Sequence, residues 1–371
     1  MKLTIDRSDL LKALSHVQNV VERRNTIPIL SNVLLTAEGQ SLSLTATDLD
    51  IEAADAAGAT VHDAGAVTAP AHTLFDVVRK LPDGADVTLE TSHEDGRLAI
   101  ASGRARFALP TLPADDFQTM AREDAPVSFD LEAADLRRLI DKTRFAISTE
   151  ETRYYLNGIY LHFADDEGGV LRAVATDGHR LALADMPAPD GANALTGIIV
   201  PRKAIAEARR LLDDAPDRVT VSASDSKIVF KVGEAVLTSK LIDGSFPDYQ
   251  RVIPKENGRI LTVDNGDFAG AVDRVATVSA ERSRSIKLSL DDGKLTLAVS
   301  NAETGQGVEE LEAEYADEAL EIGFNARYLL DVAQQIEGDE TRFEFNDSAS
   351  PARVIDMKDP AAQYVLMPLR V

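Results

Sequence analysis

The chain has no cysteine and no tryptophan, and aromatic residues make up only 5% of its 371 positions. Without cysteine there is no disulfide framework, no thiolate nucleophile and no Cys-ligated metal. No apolar run reaches the length of a membrane-crossing helix, and the opening stretch Met1-Lys-Leu-Thr-Ile-Asp-Arg7 lacks the apolar core of a signal peptide. A soluble, cytoplasmic protein with no membrane partner is therefore expected. Catalytic signatures are missing too: there is no GxxxxGKS/T phosphate loop, no GxGxxG after a strand, no HExxH and no GxSxG elbow. Neither a cofactor nor a metal is called for. Positive charge is in short supply, with 39 Lys and Arg against 62 Asp and Glu, and the resulting net charge of −23 disfavours nucleic acid when taken as a sum.

What the sequence has is a pattern stated three times. A short alternating strand, an Asp and an amphipathic helix follow one another at Leu3-Thr-Ile-Asp6 into Leu10–Leu14, at Val127-Ser-Phe-Asp130 into Leu136–Ile140, and at Leu261-Thr-Val-Asp264 into Phe268–Val272. A strand ending in small or polar residues recurs before Asp48, Asp177 and Asn301, at spacings of 129 and 124 residues. A second helix start recurs at Pro70, Pro201 and Asn325, where Pro in the first turn loses no intrahelical bond and Asn serves as an N-cap. The period is that of a whole domain rather than of a solenoid repeat. Between the helices, period-2 segments such as Ser41–Thr47, Arg218–Ser222 and Lys294–Val299 read as strands with one buried face. Each repeat thus reads as two helices plus about eight strands, an α+β domain on antiparallel sheets. Polar linkers containing Pro or Gly place the three domains at 1–120, 126–250 and 256–371.

Charge is distributed unevenly. The six helical segments with their flanks (8–24, 70–80, 134–144, 201–212, 267–284 and 325–335) hold 17 Lys and Arg against 10 Asp and Glu, while the rest holds 22 against 52. If the helices share a surface, that surface is positive and the rest of the body repels polyanions. Lys and Arg are also good helix formers that solvate exposed faces.

Two local features stand out. Thr176-Asp177-Gly178-His179-Arg180 is a turn that carries a Gly-His-Arg insertion found in the second repeat alone, where Asp177 orienting His179 as a base is one reading and a binding surface is the other. The C-terminal stretch Tyr364–Arg370 is an apolar strand, suited to an ordinary closing strand or to the wall of a groove. A hydrolase centred on Asp177 and His179 and an acidic, repeat-built interaction scaffold both remain open on these residues.

Thr26–Asn32, Arg153–Gly158, Ala175–Leu181, Ile199–Lys203, Thr238–Tyr249 and Tyr364–Arg370, in this order along the whole chain, resemble the bacterial DNA polymerase III beta subunit family, the β sliding clamps. The resemblance implies a non-enzymatic, ring-shaped processivity factor of DNA replication. Two three-domain chains join head to tail as a homodimer around double-stranded DNA, with helices lining the hole and sheets outside. It further implies a peptide pocket for short linear motifs of the replicative polymerase subunit, the clamp loader and repair proteins. With the charge split it suggests DNA contacts at Arg24, Arg79, Lys80, Arg137, Arg138, Lys142, Tyr154, Tyr155, Arg202, Lys203, Arg209, Arg210 and Arg282, and a carboxylate at Glu150 where family members can carry Gln. The matching peptide-site positions are Leu156, Thr176, Gly178, His179, Arg180, Leu181, Pro247, Arg251, Val252, Val365, Met367, Pro368, Leu369 and Arg370. The matching dimer-interface positions are Phe107 and Leu109 in the first repeat and Thr277 and Val278 in the third. Deleting the last six residues is then expected to abolish peptide binding while leaving a dimer.

Overall fold

The structure is a computed structural model that describes all residues except 93–95, 122–124, 166–167, 280–283 and 371. Among the described residues, six α-helices form: α1 (Arg7–Val17), α2 (Ala71–Arg79), α3 (Ala133–Thr143), α4 (Arg202–Leu211), α5 (Asn265–Ala276) and α6 (Ala326–Ala333). They come two to a repeat, with nine strands in the first repeat and eight in each of the others.

The repeated sequence features have definite local causes. Asp6 caps α1 by accepting from the Ser8 N–H at 2.7 Å, and the Ser8 hydrogen bonds hold its carboxyl below the usual carboxylate range. Asp264 caps α5 through the Asp267 N–H, and Asn325 caps α6 through the Arg327 N–H. Asp130 departs from the pattern. Its strand continues to Glu132, α3 begins at Ala133, and the carboxylate instead accepts from the Thr220 hydroxyl of the neighbouring strand at 2.6 Å. Pro70 occupies the N-cap position of α2, and Pro201 ends the strand immediately before α4, so both stand just outside the first helical turn. Each opening helix buries an i, i+3, i+4, i+7 stripe: Leu10, Ala13, Leu14 and Val17 in α1, and Phe268, Ala271, Val272 and Val275 in α5.

By its internal contacts the chain divides into two compact units. The first comprises Met1–Arg137, Pro189–Leu195 and Lys203–Leu241, and the second Arg138–Ala188, Thr196–Arg202 and Ile242–Val371. The division cuts through the middle repeat because strand pairing ignores the repeat boundaries. In the first unit, Ala235–Lys240 of repeat two pairs antiparallel with Ile51–Gly58 of repeat one, so that eight strands form one sheet. In the second, Ala362–Leu366 of repeat three pairs with Arg180–Pro187 of repeat two, again within eight strands. Each unit also holds a smaller sheet: five strands ending at Ala105–Pro110, and four ending at Gly305–Glu312. No described helix is long and apolar enough to cross a membrane.

Candidate functional site

The turn at Thr176–Arg180 is built by its own side chains. The Asp177 carboxylate accepts from the N–H groups of His179 (2.9 Å) and Arg180 (3.0 Å), and the Thr176 hydroxyl donates to the Arg180 carbonyl at 2.6 Å. The same construction recurs at Asp48, whose carboxylate accepts from Asp50 and Ile51, and at Asn301, which accepts from Glu303 and Thr304. Asp177 also takes the Arg180 Nε (3.1 Å), so it is committed to the turn and does not orient the exposed His179 ring, which stacks on Tyr328 at 6.4 Å. The geometry removes the Asp177–His179 base of the hydrolase reading. Among the described residues, no cluster of His, Asp and Glu is placed to hold a metal ion.

Gly178 has φ +87, and a Cβ there would collide with the Arg153 guanidinium lying over the turn. Arg153 is in turn held by Glu150 at 2.8 Å, so that carboxylate is paired rather than free. Gly178→Ala is expected to destabilise the fold by about 1 kcal/mol or more. Denaturant unfolding reads this directly, and an unchanged midpoint would mean that the turn relaxes at no cost.

Strand pairing sets Val365 opposite Leu181 and Leu366 opposite Arg180, and the Met367 N–H donates to the His179 carbonyl at 2.9 Å. The two features that stood apart in the sequence are therefore one structure. Val174, Leu181, Leu183, Tyr249 and Val365 form a buried apolar floor, with Tyr160, Phe246, Val252 and Ile253 half-buried against it. Met367, Pro368 and Leu369 are half-buried, Pro247 and Arg370 are exposed, and Leu156 is buried. Arg251 is exposed and pairs with Asp248 at 2.8 Å. It lines a cleft of about 660 Å3 with Val252, whereas His179 and Arg180 line another of about 380 Å3.

Arg180, one of the matching peptide-site positions, is only 9% exposed. It donates to Asp331 (2.5 Å) and to the Phe145 carbonyl, and lies 4.4 Å from the Tyr328 ring centroid. Its role is to brace the turn from beneath. A second polar network supports the apolar floor. The Tyr249 hydroxyl meets His162 Nε2 at 2.9 Å and Arg172 at 3.4 Å, while Arg172 grips Asp185 through two 2.7 Å bonds. Sequence reasoning passed over Tyr328, Asp331, His162 and Arg172. The one available signal was the aromatic pair Phe246 and Tyr249 in a polar segment.

The thirteen cations and tyrosines assigned to DNA separate into groups. Arg24, Lys80 and Arg202 are exposed and form no ion pair among the described residues, and Tyr154 is exposed beside the half-buried Tyr155 at 5.8 Å between rings. Arg79 and Arg210 are exposed but pair with Asp76 and Glu207 on their own helices; burial raises the Glu207 pKa despite Arg210. Arg209 is bound to Asp213, and Arg137 to the Leu212 carbonyl. Lys203 bridges Glu22 and Asp48, both at 2.6 Å. Arg138 donates to Asp359 and to the Asp185 carbonyl; burial alone would lower its pKa, but the Asp359 hydrogen bond and charge together with the nearby Tyr364 and Glu337 raise it. Lys142 corrects the assignment most sharply. It is 5% exposed, donates to the Gln335 carbonyl, and sits 2.8 Å from Glu337, beside Asp356 and Asp359. An ammonium so enclosed presents nothing to a phosphate. Arg282 lies outside the described residues.

Of the dimer positions, Phe107 is 41% exposed on the edge strand Ala105–Pro110, and Leu109 is buried. Thr277 is exposed at the end of α5, and the half-buried Val278 packs toward Gly307 of the edge strand Gly305–Glu312. On that strand Val308 is 67% exposed, a residue the sequence gave no reason to single out.

Comparison with known proteins covers the whole of this architecture. Residues 1–121, 130–248 and 250–370 match the N-terminal, central and C-terminal domains of the DNA polymerase III beta subunit. The beta sliding clamp of Caulobacter vibrioides is 61% identical over 372 residues, covering all of both chains. A crystal structure of the C. crescentus beta sliding clamp superposes with a TM-score of 0.97 at 61% identity, over 100% of this chain and 99% of that one. A sliding clamp from Bartonella birtlesii, solved bound to griselimycin, gives 0.97 at 49% identity over all of both chains. With three matched domains, full-length identity and a shared fold, the chain belongs to the DNA polymerase III beta subunit family, the sliding clamps that act as processivity factors in DNA replication.

Proposed function

We propose that two copies of the chain close head to tail into a ring that slides on duplex DNA, and that the ring holds partner proteins by short peptides seated between the turn and the C-terminal strand. In this reading the three modules are 1–120, 126–250 and 256–371, the protein is cytoplasmic, and it catalyses no reaction.

The observation that carries the ring is a pair of unfilled sheet edges of opposite charge. Ala105–Pro110, flanked by Arg104 and containing Arg106 and Phe107, ends the five-stranded sheet; Gly305–Glu312, containing Val308, Glu309, Glu310 and Glu312, ends the four-stranded sheet. An exposed edge with apolar side chains invites pairing with another chain. Because the two edges differ and lie in the first and third repeats, a two-fold operation pairs each with the other on a second copy and leaves neither open.

DNA contact needs no base reading. Arg24, Lys80 and Arg202 supply unpaired charge for phosphates, and Tyr154 and Tyr155 offer flat faces to the backbone. Retention is topological, so few free cations suffice and sliding is not hindered. Loaded on a nicked circle, the dimer is expected to stay bound at about 0.5 M salt, where electrostatic binding is largely lost, and to run off once the circle is cut open. Equal loss from circular and linear DNA would refute the ring. The peptide groove rests on the register that places Leu181 against Val365 with Val252 beside them. These aliphatic walls accept apolar anchors of varied shape, as Met367 does through its flexible side chain.

A further inference from the structure

We infer that Tyr160, His162 and Tyr249 are positioning residues for the peptide groove, fixing the loop that carries Pro247, Arg251 and Val252 before any peptide arrives; this rests on the peptide-groove reading above. That loop has little structure of its own. Residues 241–258 contain no strand, and their one regular element is a single short helical turn at Tyr249–Arg251. The bonds from Val252 to Tyr249 and from Arg251 to Asp248 are local to that turn. Hydrogen bonds to the sheet behind are made near the two ends, by the Ile242 N–H to the Ile199 carbonyl and by the Asn257 side chain to the Glu344 carbonyl, and in the middle by the Tyr249 hydroxyl. The cleft of about 660 Å3 runs along residues 251–257 of the same loop, so that flank is not packed solid. A loop hollow on one flank keeps its shape through what grips it on the other.

The grip follows from strand register. Antiparallel pairing sets Tyr160 opposite Val174 and Val174 opposite Leu183; it likewise sets His162 opposite Arg172 and Arg172 opposite Asp185. Alternate residues of a strand share a face, so both rows lie on the face that carries Leu181 and Val365. That face grades from an apolar row into a polar one, and Tyr249 spans the boundary. Its ring belongs to the floor, and its hydroxyl reaches the polar row. Each link there has a direction. His162 Nδ1 donates to the Phe163 carbonyl at 2.9 Å, which leaves Nε2 to accept the Tyr249 proton, while Arg172 donates to the Tyr249 oxygen from its seat on Asp185. Phe246 stacks on Tyr160 at 4.9 Å between ring centroids, and Tyr160 on His162 at 4.7 Å, so the residue before Pro247 is held by the same strand. Gly197, at φ +110, leaves room for the Tyr160 hydroxyl, which a Cβ there would strike. A wall ordered in advance spares a peptide the entropy of ordering it.

The test uses the full-length protein, a fluorescent peptide with two apolar anchors, and hydrogen exchange of the backbone over residues 246–253. Tyr249→Phe keeps the ring and removes the hydroxyl. His162→Leu removes the acceptor, and His162→Gln supplies another. Tyr249→Phe and His162→Leu are each expected to speed exchange across the segment in the free protein and to weaken the peptide by about tenfold, with His162→Gln close to the unaltered chain. Lys142→Met is the control for lost stability alone, because it loosens the same unit through Gln335, Glu337 and Asp356, none of which belongs to this network. Assayed below its unfolding midpoint, it should leave peptide affinity unchanged. The inference is overturned if Tyr249→Phe matches the unaltered chain in affinity or in exchange, if His162→Gln fares no better than His162→Leu, or if Lys142→Met weakens the peptide as much. A peptide that does not bind the unaltered protein overturns the groove reading itself, and this inference with it.

Discussion

A chain ending at Leu366 is expected to lose peptide affinity by 100-fold or more while retaining its dimeric mass. The cut removes Met367, Pro368 and Leu369, half-buried residues that follow the strand paired with Arg180–Pro187. Each apolar side chain that buries against a ligand contributes about 1.5–3 kcal/mol, and two such contacts exceed the roughly 2.7 kcal/mol that corresponds to 100-fold. The structure moves the cut by one residue from the six-residue deletion suggested by sequence. Leu366 is 1% exposed and stands opposite Arg180, so its loss would disturb the sheet as well as the groove. The edges proposed to pair in the dimer, Ala105–Pro110 and Gly305–Glu312, are strands of other sheets. Titration calorimetry with a polymerase-type peptide and sedimentation mass give the two readouts. Undiminished affinity would remove the C-terminal strand from the site.

Lys142→Met is expected to destabilise the second unit by about 3 kcal/mol or more and to leave DNA binding intact. The substitution keeps the apolar stem but strips the fully buried Asp356 of its cation, while Asp359 keeps Arg138, so the charge stranded where water does not reach is that of Asp356. Removing one partner from a buried ionic cluster is costly because the desolvated survivor has no replacement. The expected observations are a lower unfolding midpoint and an unaltered slope of log affinity against log salt. Arg24→Ala or Lys80→Ala should behave oppositely, keeping stability and lowering the slope by about 0.9. A reduced slope in Lys142→Met would restore that ammonium to the DNA-facing set.

The contrast between Lys142 and Arg24 marks what a sequence states and what it does not. Both are cations within predicted helical segments, and nothing in their immediate neighbours separates them. The fate of Lys142 depends on Gln335, Glu337, Asp356 and Asp359, nearly two hundred residues away or more. Arg180 follows the same rule, named as a peptide-site position from its motif and found buried because Asp331 and Tyr328 reach it from α6.

Local pattern, by contrast, was legible. The sequence alone determined the three repeats, the helix and strand periodicities, the turns closed by Asp48, Asp177 and Asn301, and the family, because these depend on hydrophobic alternation and on side chains bonding to backbone two or three residues away. Tertiary structure alone decided that the sheets run across the repeat boundaries, that the turn and the C-terminal strand are joined, and which of the described arginines and lysines form no ion pair. Strand pairing and ion pairing join residues far apart in the chain, and the energy that selects each partner arises only when folding brings both out of water together.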